Sequence, residues 1–206
     1  MSERISEATR GLELRLGTPV LIFLIGFISL TADGQSPSPA NSTTTASESL
    51  LPGNVIVPIE VVSRLFPEIT REANTGQNIT AVGKPKATRS VIYANSDSSK
   101  KVTITVDEYA SASDASLAYE QAVLKSKIVP GFKPISAPNL GQHAFIGTVT
   151  QGPETHIGLG ALNGTLVIGA TLAGYEPTSD NTAKLISLAQ KEEAAAKAIR
   201  DSHRQN

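Results

Sequence analysis

Few side chains in this chain are of a type that performs chemistry unaided. There are three histidines, His143, His156 and His203, and neither cysteine nor tryptophan. Two strand histidines without a spaced third ligand make a poor zinc or copper site, and the missing thiols remove every thiolate metal centre. Asp107 and Glu108 are adjacent, so on a strand they point to opposite faces; they cannot serve as a paired acid and base, and they read as a solvated strand end. Asn95, Asp97 and Ser99 alternate oxygen ligands as a calcium loop does, but the glycine and closing glutamate of such a loop are missing, which leaves a polar turn. Gly158-Leu159-Gly160 followed by Gly164 falls one residue out of the dinucleotide fingerprint and lies in a strand pattern, whereas the fingerprint needs a strand turning into a helix. Neither a Gly-x-Ser-x-Gly elbow nor a Walker loop occurs. No catalytic residue, metal site or cofactor is assigned on these grounds, and an enzyme of unknown reaction stays as an alternative.

One group of residues keeps functional content. Asn163-Gly164 stands between two alternating stretches, Thr155 to Leu162 and Thr165 to Ala173, which is a strong hairpin signature. With those two residues as the turn, Ala161 opposes Leu166, Leu159 opposes Ile168 and Ile157 opposes Ala170 on an inward face. The other face then sets Gly158 opposite Gly169, Gly160 opposite Val167 and His156 opposite Thr171. Glycine weakens a strand, so three on one face mark either an element packed closely on the sheet or room for a ligand. Gly158, Gly160, Gly169, His156 and Thr171 are therefore the candidate residues for binding a ligand or partner.

The elements that must position them follow from periodicity. Pro58 opens a short helix with Ile59, Val62 and Phe66 at helical spacing, closed by Pro67. Strands over Ser90 to Ala94 and Val102 to Tyr109 flank the turn Asn95 to Lys100; in the second, Val102, Ile104 and Val106 alternate with Thr103, Thr105 and Asp107. Ser111 to Asp114 supply capping oxygens for a helix whose inner face is Ala115, Ala118, Tyr119, Ala122 and Val123, ended by Val129-Pro130-Gly131. A strand over Ala144 to Thr150 precedes the hairpin. A final helix from Thr178 turns Leu185, Leu188, Ala189, Glu192, Ala196 and Ile199 inward. The expected fold is α+β, an antiparallel sheet of about five strands covered by helices, in the order α-β-β-α-β-β-β-α.

Outside that domain, Val20 to Leu30 is an apolar run interrupted only by Gly26 and Ser29, with small residues Ala32 and Gly34 behind it. It is short for a membrane span and fits a cleaved export signal, with a mature start near Asp33 or Gln35; an uncleaved single-pass anchor is the alternative. The expected organisation is a signal or anchor over residues 1–32, a flexible Ser/Thr/Pro linker over 33–50, one domain over 51–200 and a disordered tail over 201–206. The setting is extracytoplasmic, whether secreted, periplasmic or in the cell envelope. The formal net charge of -1 offers no basic surplus for phosphate backbones or anionic membranes. Nucleic acid is therefore not an expected partner, and any membrane contact is through the N-terminal segment.

The strand VTITVDEY from Val102, the helix SASDASLAYEQA from Ser111, Leu140-Gly141 with Ala144-Phe145, the hairpin ALNGTLVIGATLAG from Ala161 and the helix around LISLAQ together resemble a class of actinobacterial exported proteins. Many of these are lipoproteins, and the class includes the extracytoplasmic sensor domains of mycobacterial receptor kinases. The resemblance covers roughly residues 52–198 and implies a sensor-like or ligand-binding domain, with no reaction to carry over. This chain has neither a lipid-attachment cysteine nor the paired cysteines of the kinase sensors. The function so read is a non-catalytic exported domain that binds a small ligand or an envelope protein, with a structural envelope protein as a further alternative.

Overall fold

Apolar alternation along the segments around Ile104, Ile157 and Ile168 builds one sheet, and the remaining elements take their places from it. The computed structural model describes residues 49–76, 84–136 and 139–204. In chain order these form β1 (Ser49–Leu50), a 3-10 turn (Gly53–Val55), α1 (Ile59–Leu65), β2 (Arg71–Gly76), β3 (Ala87–Ala94), β4 (Lys101–Glu108), α2 (Ala112–Lys127), β5 (Phe132–Ile135), β6 (His143–Gln151), β7 (Glu154–Asn163), β8 (Leu166–Ala173) and α3 (Ser179–Arg204). The strands lie in the order β1-β3-β4-β8-β7-β6-β5, and β2 shares the outer edge of β3 with β1. Seven strands pair antiparallel; only the two-residue β1 runs parallel to its neighbour.

The α+β class holds, while the count of five strands and the order built on it do not. The three additional strands are all at edges. β2, of sequence REANTG, has no apolar alternation and joins by backbone pairing with β3, with a register shift between Glu72 and Asn74. β5 carries Pro134, which lacks a ladder donor and is tolerated only on an edge. β1 comes from the end of the stretch expected to be a linker. The expected export segment and the rest of that expected linker lie outside the described residues. At the other end α3 runs to Arg204, past the expected domain limit at residue 200. Among the described residues no helix is long and apolar enough to cross a membrane.

The hairpin register also differs from expectation. Asn163 pairs with Leu166, so the turn is Gly164-Thr165, with Gly164 at φ 61° as the first central residue of a primed turn. The Asn163 amide donates to the Glu193 carboxylate on α3, which keeps Asn163 in the ladder. The whole pairing moves by two residues, and because side chains alternate with period two, every residue stays on its expected face. Ala161 now opposes Ile168, Leu159 opposes Ala170 and Ile157 opposes Leu172; on the second face Gly160 opposes Gly169, Gly158 opposes Thr171 and His156 opposes Ala173.

The first face holds the main core. Val91, Val102, Ile104, Ile157, Ile168 and Leu172 meet Val62 and Phe66 from α1 and Leu185, Leu188, Ala189 and Ala196 from α3. Each fully buried aliphatic side chain contributes about 1.5 to 3 kcal/mol of transfer free energy. Glu192 sits in this core with no exposed surface; its Oε2 accepts from the Val57 amide at 2.9 Å, and the Tyr93 hydroxyl donates to the Val57 carbonyl at 2.7 Å. α3 and β3 thereby grip the segment that leads into α1.

Candidate ligand cleft on the second sheet face

The antiparallel registers align the second face into rungs that cross the sheet. One rung runs Arg71, Ala94, Lys101, Ala173 and His156 through β2, β3, β4, β8 and β7. The next is Ile92, Thr103, Thr171, Gly158 and Gly147, and the third is Ser90, Thr105, Gly169, Gly160 and Phe145. The last is Thr88, Asp107, Val167, Leu162 and His143. Small and polar side chains dominate the first three rungs, and α2 covers the last. Ser111 caps α2 by accepting from the Asp114 amide at 3.1 Å, and Ala115, Ala118, Tyr119 and Ala122 settle on Leu162 and Val167. The Tyr119 ring lies 5.8 Å from that of Phe145, edge on.

Asp107 is overturned as a solvated strand end. It is 3% exposed and accepts from the Thr88 hydroxyl, because β4 is central in the sheet and that end of the face is roofed by α2. The pairing also separates His143 from His156. His156 pairs with Val149, and His143 lies six residues further along β6, roughly 20 Å away at strand rise. His143 instead stacks beside Tyr119. The two histidines cannot share a metal, and among the described residues no group of three or more His, Cys, Asp or Glu is placed to hold one.

At the end opposite α2, the face opens into a cleft of about 460 Å³. Its floor is Ile92, Thr103, Thr171 and Ala173. Arg71 and Ala73 of β2 form one wall with Ser98 and Ser99 of the β3–β4 turn, and Glu154 and His156 of β7 form the other. The Arg71 guanidinium is steadied by that turn: Nε donates to the Asn95 carbonyl at 3.3 Å and Nη2 donates to the Ser98 hydroxyl. Gly174 lets the turn come this close. It has φ 77°, and a Cβ there would run into the Ser99 carbonyl oxygen.

His156 is the most buried titratable group of the cleft, at 4% exposed. Its Nε2 lies 3.6 Å from Glu154 Oε2, and its enclosed Nδ1 has no hydrogen-bond partner among the described residues. Burial pushes the imidazole below its usual value of 6.5; Glu154 opposes that shift and Lys101 adds to it, so the ring is neutral at pH 7. Among the described residues no hydroxyl is hydrogen-bonded to Nδ1.

Of the five candidate residues, His156 and Thr171 line the cleft. Gly158 is buried on the rung of Thr103 and Thr171, and Gly160 and Gly169, directly opposite each other, are buried on the next rung toward α2. Arg71, Lys101 and Thr103 went unassigned from sequence. The alternation of Lys101, Thr103 and Thr105 on β4 does carry the signal for two of them, whereas Arg71 sits on a strand with no pattern to betray it.

No family model and no curated protein matches the sequence. Among solved structures the chain is similar to the extracellular domain of PknH from Mycobacterium tuberculosis, at 10% identity and a TM-score of 0.47, over 68% of this chain and 93% of that one. It is also similar to LpqN, involved in cell envelope biogenesis of Mycobacterium tuberculosis, at 15% identity and a TM-score of 0.26, over 49% of this chain and 58% of that one.

Proposed function

We propose that this protein is a non-catalytic extracytoplasmic binding domain, and that its small ligand occupies the cleft over Thr103, Thr171 and Ala173. The observation that carries the reading is the cleft itself: about 460 Å³ of open volume over a floor of small and polar side chains, with Arg71, Lys101 and the buried His156 in its lining. Clefts of this size suit metabolite-sized molecules. The setting follows from the apolar run over Val20 to Leu30 and the small residues behind it. Binding is favoured over catalysis because among the described residues no hydroxyl is bonded to Nδ1 of His156 and the carboxylate of Asp107 lies at the roofed end of the face.

A thermal-unfolding screen of the chain against small molecules extracted from the envelope of its host tests this. Binding to the folded state alone must raise the melting temperature. The expected result is one or more stabilising compounds whose effect disappears in Ala173→Leu, which fills the floor of the cleft and leaves the unliganded melting temperature in place. Stabilisers that act equally on Ala173→Leu would refute the cleft as the site.

A further inference from the structure

We propose that the outer side of α2 is an interaction surface, and that it pairs antiparallel with the same helix of a second copy of this chain. Among the described residues the large apolar side chains left in solvent are Leu117, Leu124 and Ile128, which are 56%, 63% and 81% exposed. The two leucines belong to α2, and Ile128 is its C-cap with φ -89° and ψ -4°, so it continues the helical path. At about 100° per residue the three fall within about 40° of one another, and about 150° away from Ala115, Ala118, Tyr119 and Ala122, which pack on the sheet. One exposed leucine is ordinary, whereas three aligned on the far side of a helix have no use in packing that helix on its own domain. With Gln121 the stripe runs at intervals of four, three and four residues, the spacing of a seam between two helices.

The charges beside the stripe name its occupant. Asp114 and Glu120 precede Lys125 and Lys127 along α2, and all four are exposed. A surface of one sign, such as an anionic membrane, is attracted at one end of this helix and repelled at the other; a second copy turned end for end is attracted at both. In that arrangement Leu117 meets the partner's Ile128 and Gln121 meets the partner's Leu124, each contact occurring twice by the twofold symmetry. Glu120 and Lys127 flank the stripe on the same side, which the twofold axis makes common to the two helices, so Glu120 of each copy comes to the partner's Lys127. Among the described residues neither has a salt bridge within the chain; Glu120 accepts from the Ser116 hydroxyl one turn back, at 3.4 Å. A parallel pairing would instead set like charges together. Because α2 roofs the end of the face opposite the cleft, the pairing is independent of what the cleft binds.

The chain contains no cysteine, so introduced thiols report the pairing directly. Full-length Leu117→Cys and Ile128→Cys, mixed and oxidised, should form the mixed disulfide about tenfold faster than either forms its own, because the two copies of position 117 stand about 16 Å apart along an antiparallel seam, beyond disulfide reach. Sedimentation equilibrium of the full chain from about 10 μM to 1 mM should show a weak reversible association, as befits a small interface. Leu124→Glu should abolish it and leave the melting temperature unchanged, with Leu124→Gln in its place should the glutamate variant fail to fold. Glu120→Lys should weaken the association about tenfold, and adding Lys127→Glu should restore it. Self-disulfides that form as fast as the mixed one, association that is identical in Leu124→Glu and the parent chain, or a charge-swapped double variant no tighter than Glu120→Lys would each overturn the antiparallel pairing. So would flotation on anionic phospholipid vesicles that is lost in Leu124→Glu while no mixed disulfide forms, which would give this face to a membrane.

Discussion

Glu192 and His156 lie on opposite faces of one sheet, each buried and each with one polar atom unmet. Glu192 is wholly enclosed on the inner side of α3; Oε2 accepts from Val57 and Oε1 has no partner among the described residues. Burial raises its carboxyl to about 8, with the Val57 amide pulling the other way. The same cause lowers His156, because desolvation penalises the charged form of either group. One group therefore gains a proton on folding and the other gives one up. The difference teaches what each face is for. In the closed core a proton on the Glu192 carboxyl removes the buried charge, and the group serves as a tether for the segment before α1. His156 instead lines an open cleft, with its unmet Nδ1 itself enclosed.

The largest effect that would sharpen this comparison is a stability that falls as pH rises. Glu192 has a folded value near 8 against an ordinary 4.5, so between these limits the folded state binds a proton the unfolded state does not. Its contribution is whole below pH 4.5 and lost by pH 8, and the full shift corresponds to an upper limit of about 5 kcal/mol. Urea unfolding across that interval should show the decline. Glu192→Gln, which keeps an acceptor for Val57, should flatten it; an equal slope in the variant would remove Glu192 as its source.

Truncating the core beside it comes next. Leu188→Ala should cost about 2 to 5 kcal/mol, since Leu188 has no exposed surface and its removal leaves a cavity. Thr171→Ala on the cleft floor should cost under about 1 kcal/mol. Comparable losses at the two sites, read from denaturant midpoints, would break the distinction between core and cleft. Gly160→Val probes the ground between them. Gly160 is buried opposite Gly169 and two residues before Leu162 on the same face, on which α2 packs, so the added volume should destabilise by about 1 to 3 kcal/mol through overpacking. An unchanged melting temperature would instead extend the ligand surface along the glycine row.

The smallest effect belongs to His156. Its folded value lies below 6.5, so over the interval beneath 6.5 the unfolded state binds more protons; stability from this group is present above pH 6.5 and declines as pH falls. That slope is opposite in sign to the one from Glu192. Measured in the Glu192→Gln background, His156→Asn should remove the decline in acid and change stability at neutral pH by less than about 1 kcal/mol. A decline that survives the substitution would assign it elsewhere.

How much of this could be read beforehand depends on where each element gets its stability. β4, β7, β8, α2 and α3 announce themselves because their burial pattern is their sequence pattern: Val102, Ile104 and Val106 face in, and Ser111 caps. β2 and β5 do not, because an edge strand is recruited by the open backbone of its neighbour and needs no apolar face. Asp107 misled for the related reason that its burial is imposed by β8 and α2, which are distant in sequence. For the site, His156 and Thr171 were legible through their position on the glycine face, while Arg71 reached the cleft only through the unsignalled strand β2.

The sequence by itself determined the α+β class, the face on which each hairpin residue lies and the small-residue character of the second sheet face, since these depend on side-chain period and local turn chemistry. Tertiary structure decided the rest. A period of two cannot distinguish registers that differ by two residues, and it was the capture of Asn163 by Glu193 on α3 that went with the turn at Gly164-Thr165. The same long-range pairing aligned Arg71, Lys101 and His156 on one rung across five strands. Local sequence fixes which way a side chain points; which residues stand beside it is a property of the assembled sheet.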